Sequence, residues 1–193
     1  ALHGYQSGLG LPDRDYYFDD SKQKELEEYK KYISKLLKLS GKEQSIADKD
    51  AEAIFEFEKA LANISLKRVD RRDPVKTYNK TLIADLQVKA PFFDWTQYFN
   101  ELQISPSSIV LENVEYFSKC SELASAASIA TLQSYLLFHL LNRTAPFLGK
   151  DFVDAHFEFH GKVLTGTAEL QPRWKRIIGF VGDEVRDLVG KAY

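Results

Sequence analysis

Methionine is missing from all 193 residues, and cysteine occurs once, as Cys120. A product of translation begins with methionine, so we expect the chain to be a processed or excised segment whose leader is absent or already removed. One cysteine forms no intrachain disulfide, and in a helical context it is more often a small buried hydrophobe than a reactive thiol. Uninterrupted apolar runs such as 135–138 are far too short to cross a bilayer, so the sequence offers no membrane contact. An excess of one charge is lacking too. The 26 basic and 28 acidic side chains leave a net charge of -2, and no basic tract points to nucleic acid. There is no repeat of fixed period, which excludes a helical solenoid, and no low-complexity linker.

Familiar catalytic signatures are also absent. No His-Glu-x-x-His occurs anywhere, no Gly-x-Ser-x-Gly elbow surrounds Ser118 or Ser121, and Gly8-Leu9-Gly10 opens no phosphate loop. Carboxylate pairs such as Asp19-Asp20 and Glu27-Glu28 read as solvated charge. His156 and His160 are spaced to share a helical face and could reach one metal ion. Glu158 between them lies about 200° around a 3.6-residue turn and points away, so the pair does not form a hydrolytic zinc motif. A structural two-histidine site with a third ligand stays open, with ordinary half-buried histidines preferred. No catalytic or metal-binding residue is therefore assigned, and the substrate-binding residues stay unknown.

What is there is helical. With 44% hydrophobic and 28% charged residues the composition is that of a globular domain. Residues 1–19, rich in Gly, Asp and Tyr, read as an irregular segment. Leu26, Tyr29, Ile33, Leu36 and Leu37 mark a helix, with Asp20 and Gln23 as a capping box and Gly41 beyond its end. A second helix, about 45–65, carries the stripe Ile54, Phe57, Leu61 and Ile64 and should pack on the first as a hairpin. Pro74 breaks the rhythm. Short helices at 81–88 and 94–102, the latter capped by Asp94, precede one brief strand at 107–111. Helices at 114–123, 125–142, 150–164 and 173–193 complete an all-α, irregular multi-helix fold, expected to be a single domain over 1–193 with at most one short strand or hairpin.

Arg71-Arg72-Asp73-Pro74 reads as a structural clamp, its guanidinium groups bonding helix-end carbonyls while Tyr78 and Asn79 anchor the next helix. The alternative is an arginine facing a cavity and holding a peptide carboxylate. Asn63-Ile64-Ser65, Asn79-Lys80-Thr81 and Asn142-Arg143-Thr144 match the glycosylation sequon, from which no glycan is inferred.

Several stretches together resemble the neprilysin family of zinc metallopeptidases. They are Gly8-Leu9-Gly10-Leu11-Pro12-Asp13-Arg14-Asp15-Tyr16-Tyr17, then Arg71 to Lys80, then Leu86-Gln87 with Phe93-Asp94-Trp95. Leu164-Thr165-Gly166, Pro172 to Arg176 and Gly190-Lys191-Ala192-Tyr193 follow. The landmarks fall in the family's order and cover nearly the whole chain. The resemblance implies the amino-terminal helical lobe of a two-lobed enzyme, which caps a chamber and admits oligopeptides. It also implies that zinc is bound by the other lobe of the same chain. Ile177-Ile178 stands where animal members place a cysteine, which points to a bacterial oligopeptidase type. Periplasmic, envelope-anchored, secreted and cytoplasmic settings all stay open. A stand-alone helical module that binds peptides or proteins is the alternative.

Overall fold

The computed structural model describes residues 2–186 and 190–191. Two long helices form its centre, α1 (Gln23–Leu39) and α2 (Gln44–Ile64). The apolar positions of α1 recur at helical spacing, and Leu26, Tyr29, Ile33, Leu36 and Leu37 are all buried. The turn to α2 closes with Gly41 at φ +103°, a conformation that strains a residue bearing Cβ. Gly41 N–H donates to Lys38 O at 2.9 Å and Lys42 N–H to Leu37 O at 3.2 Å, satisfying carbonyls at the helix end. The two helices then run antiparallel, Ser34 donating to Asp48 at 2.6 Å and Lys30 to Glu52 at 2.8 Å.

The expected capping box at the start of α1 does not form. Lys22 flanks the helix with no side-chain cap, because Asp20 already lies in a 3₁₀ turn, Asp20–Lys22, that feeds the helix. Asp19 caps that turn, accepting from Ser21 N–H at 2.9 Å.

A small sheet sits at one end. Here β1 (His3–Gly4) runs parallel to β3 (Ser108–Leu111), which pairs antiparallel with β2 (Asn79–Leu82), in the order β1-β3-β2. Lys80 faces Val110 and Thr81 faces Ile109 across the ladder. The strand read at 107–111 is therefore present as β3, and it recruits two short partners that the sequence reading left as loop and helix. Thr81 is buried while Lys80 and Leu82 are exposed, an alternation too short to stand out from a helical pattern. The expected helix at 81–88 begins only at Ile83, as α4 (Ile83–Lys89). Leu86, Ala90, Ile109 and Leu111 form a second, smaller core behind the sheet.

Asp94 caps α5 (Trp95–Glu101), as expected, accepting from Gln97 N–H at 2.8 Å. The short helix α3 (Pro74–Thr77) precedes β2, and α6 (Val114–Ala126) follows β3. Ser128 starts α7 (Ile129–Thr144) by accepting from Thr131 N–H, so the break falls at 127–128 rather than near 124. Next, α8 (Lys150–His156) continues into a π-helical stretch, Phe157–Leu164. Phe138 of α7 and Phe159 of the π stretch close the main core over Tyr29 and Tyr32, with the Tyr32 and Phe159 rings stacked at 4.9 Å. The helix α9 (Arg173–Glu184) buries no residue. Leu188, Ala192 and Tyr193, counted in the expected terminal helix and landmark, lie outside the described residues.

Candidate functional site

A dense polar constellation surrounds Glu58. This residue occupies the buried face of α2, between Ile54 and Leu61, and is fully enclosed. The Tyr17 hydroxyl donates to Glu58 Oε2 at 2.6 Å, and the Tyr29 hydroxyl lies 2.7 Å from Oε2 and 3.0 Å from Oε1. His139 Nε2 sits 2.8 Å from Oε1, and Gly10 N–H donates to Oε2 at 3.3 Å. Burial, with the Glu58 charge next, drives both tyrosine pKa values up, so these hydroxyls stay protonated and donate. One carboxylate thus joins α1, α2, α7 and the amino-terminal segment.

That arrangement explains the first landmark. Gly10 passes so close to Tyr29 that a Cβ would meet the hydroxyl oxygen at 1.8 Å. Gly8 O accepts from the Tyr135 hydroxyl at 2.8 Å, and Ser7 O from the Tyr116 hydroxyl. Asp13 caps a 3₁₀ turn, Arg14–Tyr17, accepting from Asp15 N–H. Arg14 Nε donates to Ala62 O at 2.9 Å, near the carboxy-terminal end of α2. An arginine on a helix-end carbonyl was expected of Arg71 or Arg72, and Arg14 plays that part instead.

Arg71 pairs with a carboxylate. Its Nε lies 2.8 Å from Oε1 of Glu112, whose side chain is buried, while Gln6 N–H donates to Oε2 at 3.1 Å. Gln6 also exchanges two hydrogen bonds with the backbone of Leu66, at 2.8 and 3.0 Å. The clamp therefore ties the segment just past β1 to the segment after α2. Asn79 takes part, donating to Leu111 O at 3.0 Å, but Tyr78 is exposed and anchors nothing in the core. Arg71 and Gln6 also line a cleft of about 190 Å³ with Gly8, Leu11, Arg14 and Ser65.

His156 and His160 meet as the spacing suggested, their rings stacked 4.3 Å apart at 23°. The π-helical stretch carries His160, and such local widening of a helix is often found at functional sites. His160 Nε2 is engaged with Asn142 Oδ1 at 2.9 Å, an oxygen that also accepts from the Tyr32 hydroxyl at 2.7 Å. Burial lowers the His156 pKa. Burial and the neighbouring His156 push His160 down to about 4. Both rings are neutral near pH 7 and line a groove of about 1170 Å³ with Phe147, Arg173, Arg176 and Phe180. Among the described residues, no group of three or more His, Cys, Asp or Glu could hold a metal ion. The stacked pair, with one ring already bonded to Asn142, does not fit a zinc site.

Cys120 is half-buried, and burial raises its thiol pKa, the reverse of an activated nucleophile. In the sequons, Asn63 is exposed, while the Asn79 and Asn142 side chains are engaged in the contacts above. Among the described residues no helix is long and apolar enough to cross a membrane. The sequence reading missed the Glu58 hub, whose one signal was a glutamate at i+4 from Ile54 on an otherwise apolar stripe.

Comparison with known proteins places this architecture. Residues 1–193 match the amino-terminal model of Peptidase family M13. Bovine endothelin-converting enzyme 1 is 38% identical over 88% of this chain and 24% of its own length. Neprilysin-11 of Caenorhabditis elegans is 31% identical over 86% of the chain and 21% of its length. The crystal structure of the zinc metalloprotease Zmp1 of Mycobacterium tuberculosis with an inhibitor superimposes with a TM-score of 0.94 at 32% identity, over 99% of this chain and 30% of that one. The chain thus spans about a quarter of the curated relatives' length, and from its landmarks, fold and sequence it belongs to Peptidase family M13, the neprilysin family.

Proposed function

We propose that this chain is a non-catalytic lobe of a zinc metalloendopeptidase, capping the active-site chamber and restricting substrates to oligopeptides. The observation that carries this reading is a family membership without the family's chemistry. The chain belongs to a peptidase family and spans about a quarter of its curated relatives, yet its 193 residues contain no His-Glu-x-x-His. Hydrolysis then falls to another part of the parent chain. The zinc held there would polarise the scissile carbonyl and activate water.

What these residues contribute is shape and stiffness. Glu58 bonds side chains or backbone from α1, α7 and the amino-terminal segment, and Glu112 joins Arg71 to Gln6, just past β1. Buried networks of this kind, with every group satisfied, rigidify a structure. Among the described residues no buried side-chain polar atom lacks a partner. A lobe braced in this way closes over a chamber as a body rather than as separate helices.

The parent open reading frame tests the reading first: it should carry His-Glu-x-x-His downstream of Tyr193. The parent enzyme should hydrolyse short peptides while leaving folded proteins of the same sequence content intact. Equal cleavage of a folded protein and of its peptides would remove the gating role.

A further inference from the structure

Charge that balances over the whole chain does not balance between α2 and the sheet. Residues 67–80 hold six basic side chains, Lys67, Arg68, Arg71, Arg72, Lys76 and Lys80, against Asp70 and Asp73, a net +4 in a chain of net -2. All six are exposed. Asp70 pairs with Lys76 at 2.7 Å and Glu112 with Arg71 at 2.8 Å, and the other four basic groups make no ion pair among the described residues. The same segment ends in β2, an edge strand. The N–H groups of Val110 and Glu112 turn to the first strand, donating to Leu2 O and Gly4 O, so Ile109 and Leu111 turn to β2, opposite Thr81 and Asn79. Alternation then aims the N–H and C=O of Lys80 and the N–H of Leu82 away from the sheet, where β2 has no neighbouring strand among the described residues. Tyr78 and Leu82, 64 and 55% exposed, flank Lys80 along the outer face.

We propose that this edge binds an extended acidic peptide, which adds as a fourth strand beside β2. Main-chain hydrogen bonds at a sheet edge give such binding its affinity, and the side chains along the edge give it selectivity. Here the selectivity is for charge. A strand carrying carboxylates is attracted to Lys80 and to the cations that precede it in the segment, whereas a basic strand is repelled. The peptide side chains on either side of the acidic one meet Tyr78 and Leu82. A lone lysine on a short edge serves to keep other strands off. Lys67, Arg68 and Arg72, none of them paired with an acid among the described residues, go beyond that need and make the edge attractive to acid. The binding stands on these residues alone; its use, holding acidic peptides on this lobe for hydrolysis elsewhere in the parent, rests on the proposed function.

Fluorescence anisotropy tests this, with a short labelled peptide alternating glutamate and valine titrated with the full parent enzyme in a zinc chelator that stops hydrolysis. Leu82 has φ -68° and ψ 147°, which proline adopts, so Leu82→Pro removes the outward N–H and leaves the ladder to β3 in place. It should weaken binding about 10-fold, as should Arg72→Glu, a surface change that leaves the edge intact. Leu82→Ala, which keeps the N–H, should stay within about 3-fold of wild type. The same peptide with lysine for glutamate should bind at least about 10-fold more weakly, a difference that shrinks in high salt. Amides within 79–83 should exchange more slowly when the acidic peptide is bound. Wild-type binding by both Leu82→Pro and Arg72→Glu would overturn the proposal. So would equal binding of the two peptides, or no binding of the acidic one, which would leave Lys80 as an edge guard only. Hydrolysis of a neutral peptide by the untreated parent is read separately: its absence removes the peptidase reading and leaves the peptide site standing.

Discussion

Glu58 is a carboxylate on the one face of α2 that its neighbours devote to burial. Two tyrosine hydroxyls, an imidazole nitrogen and a backbone N–H close on it. Glu58→Ala strands those donors in the core and should cost about 3–5 kcal/mol, the penalty typical of breaking a buried charged network by removing one partner. Glu58→Gln keeps the shape but puts an amide donor against other donors, and about 1–3 kcal/mol is expected. Denaturant midpoints of the two variants against wild type check both. Gly10→Ala should lose about 1–3 kcal/mol by overpacking, since Tyr29 is held by Glu58 and has no room to give. His160 supplies a pH signature. Its pKa is lowered in the fold, so the unfolded chain binds the extra proton between about pH 6.5 and 4. Stability from this residue is therefore present near pH 7 and lost as pH falls through that window. The loss amounts to about 3 kcal/mol at 1.36 kcal/mol per unit. Unfolding free energies measured from pH 7 to 4 should fall less steeply for His160→Gln than for wild type.

Elements show what the sequence could and could not reveal. The stripe of α1, the Gly41 stop, the Asp94 cap and the Ile109-Val110-Leu111 strand were legible because each rests on neighbours in sequence. The expected helix at 81–88 is present but starts two residues late, at Ile83, because Thr81 joins a strand whose partner, β3, lies about thirty residues downstream, and pairing at that distance leaves no local trace. The capping box at Asp20 failed for a subtler reason, a 3₁₀ turn that moves the helix start past the expected cap. Arginine roles were exchanged in the same way: spacing marks Arg14 and Arg71 as charged, but only the fold brings one to Ala62 O and the other to Glu112. Removing Arg71 leaves Glu112 with the Gln6 N–H. Because Arg71 is partly exposed, Arg71→Ala should cost no more than about 1–2 kcal/mol. Hydrogen exchange should show the loss concentrated at β1 and Gln6–Leu66, with α1 and α2 unchanged. Equal loss across the helical hairpin would mean that the clamp stabilises the whole chain.

Taken whole, the described residues form one large core, a second small core behind the sheet, and exposed apolar faces on α7 and α9. The family landmarks carried the expected fold because they are structural: Gly10 clears Tyr29, Arg14 holds α2, and Tyr17 reaches Glu58. Each of them is engaged in packing or backbone contacts, which local sequence patterns signal more readily than a site assembled from distant residues. The central claim is that chemistry and gating are divided between parts of one chain. Zinc content and hydrolysis of a short peptide, measured on the 193-residue chain and on its full-length parent side by side, test it most directly. We expect zinc at one equivalent and peptide cleavage in the parent, and neither in the 193-residue chain. Stoichiometric zinc or cleavage in the 193-residue chain would contradict the account and return attention to His156 and His160.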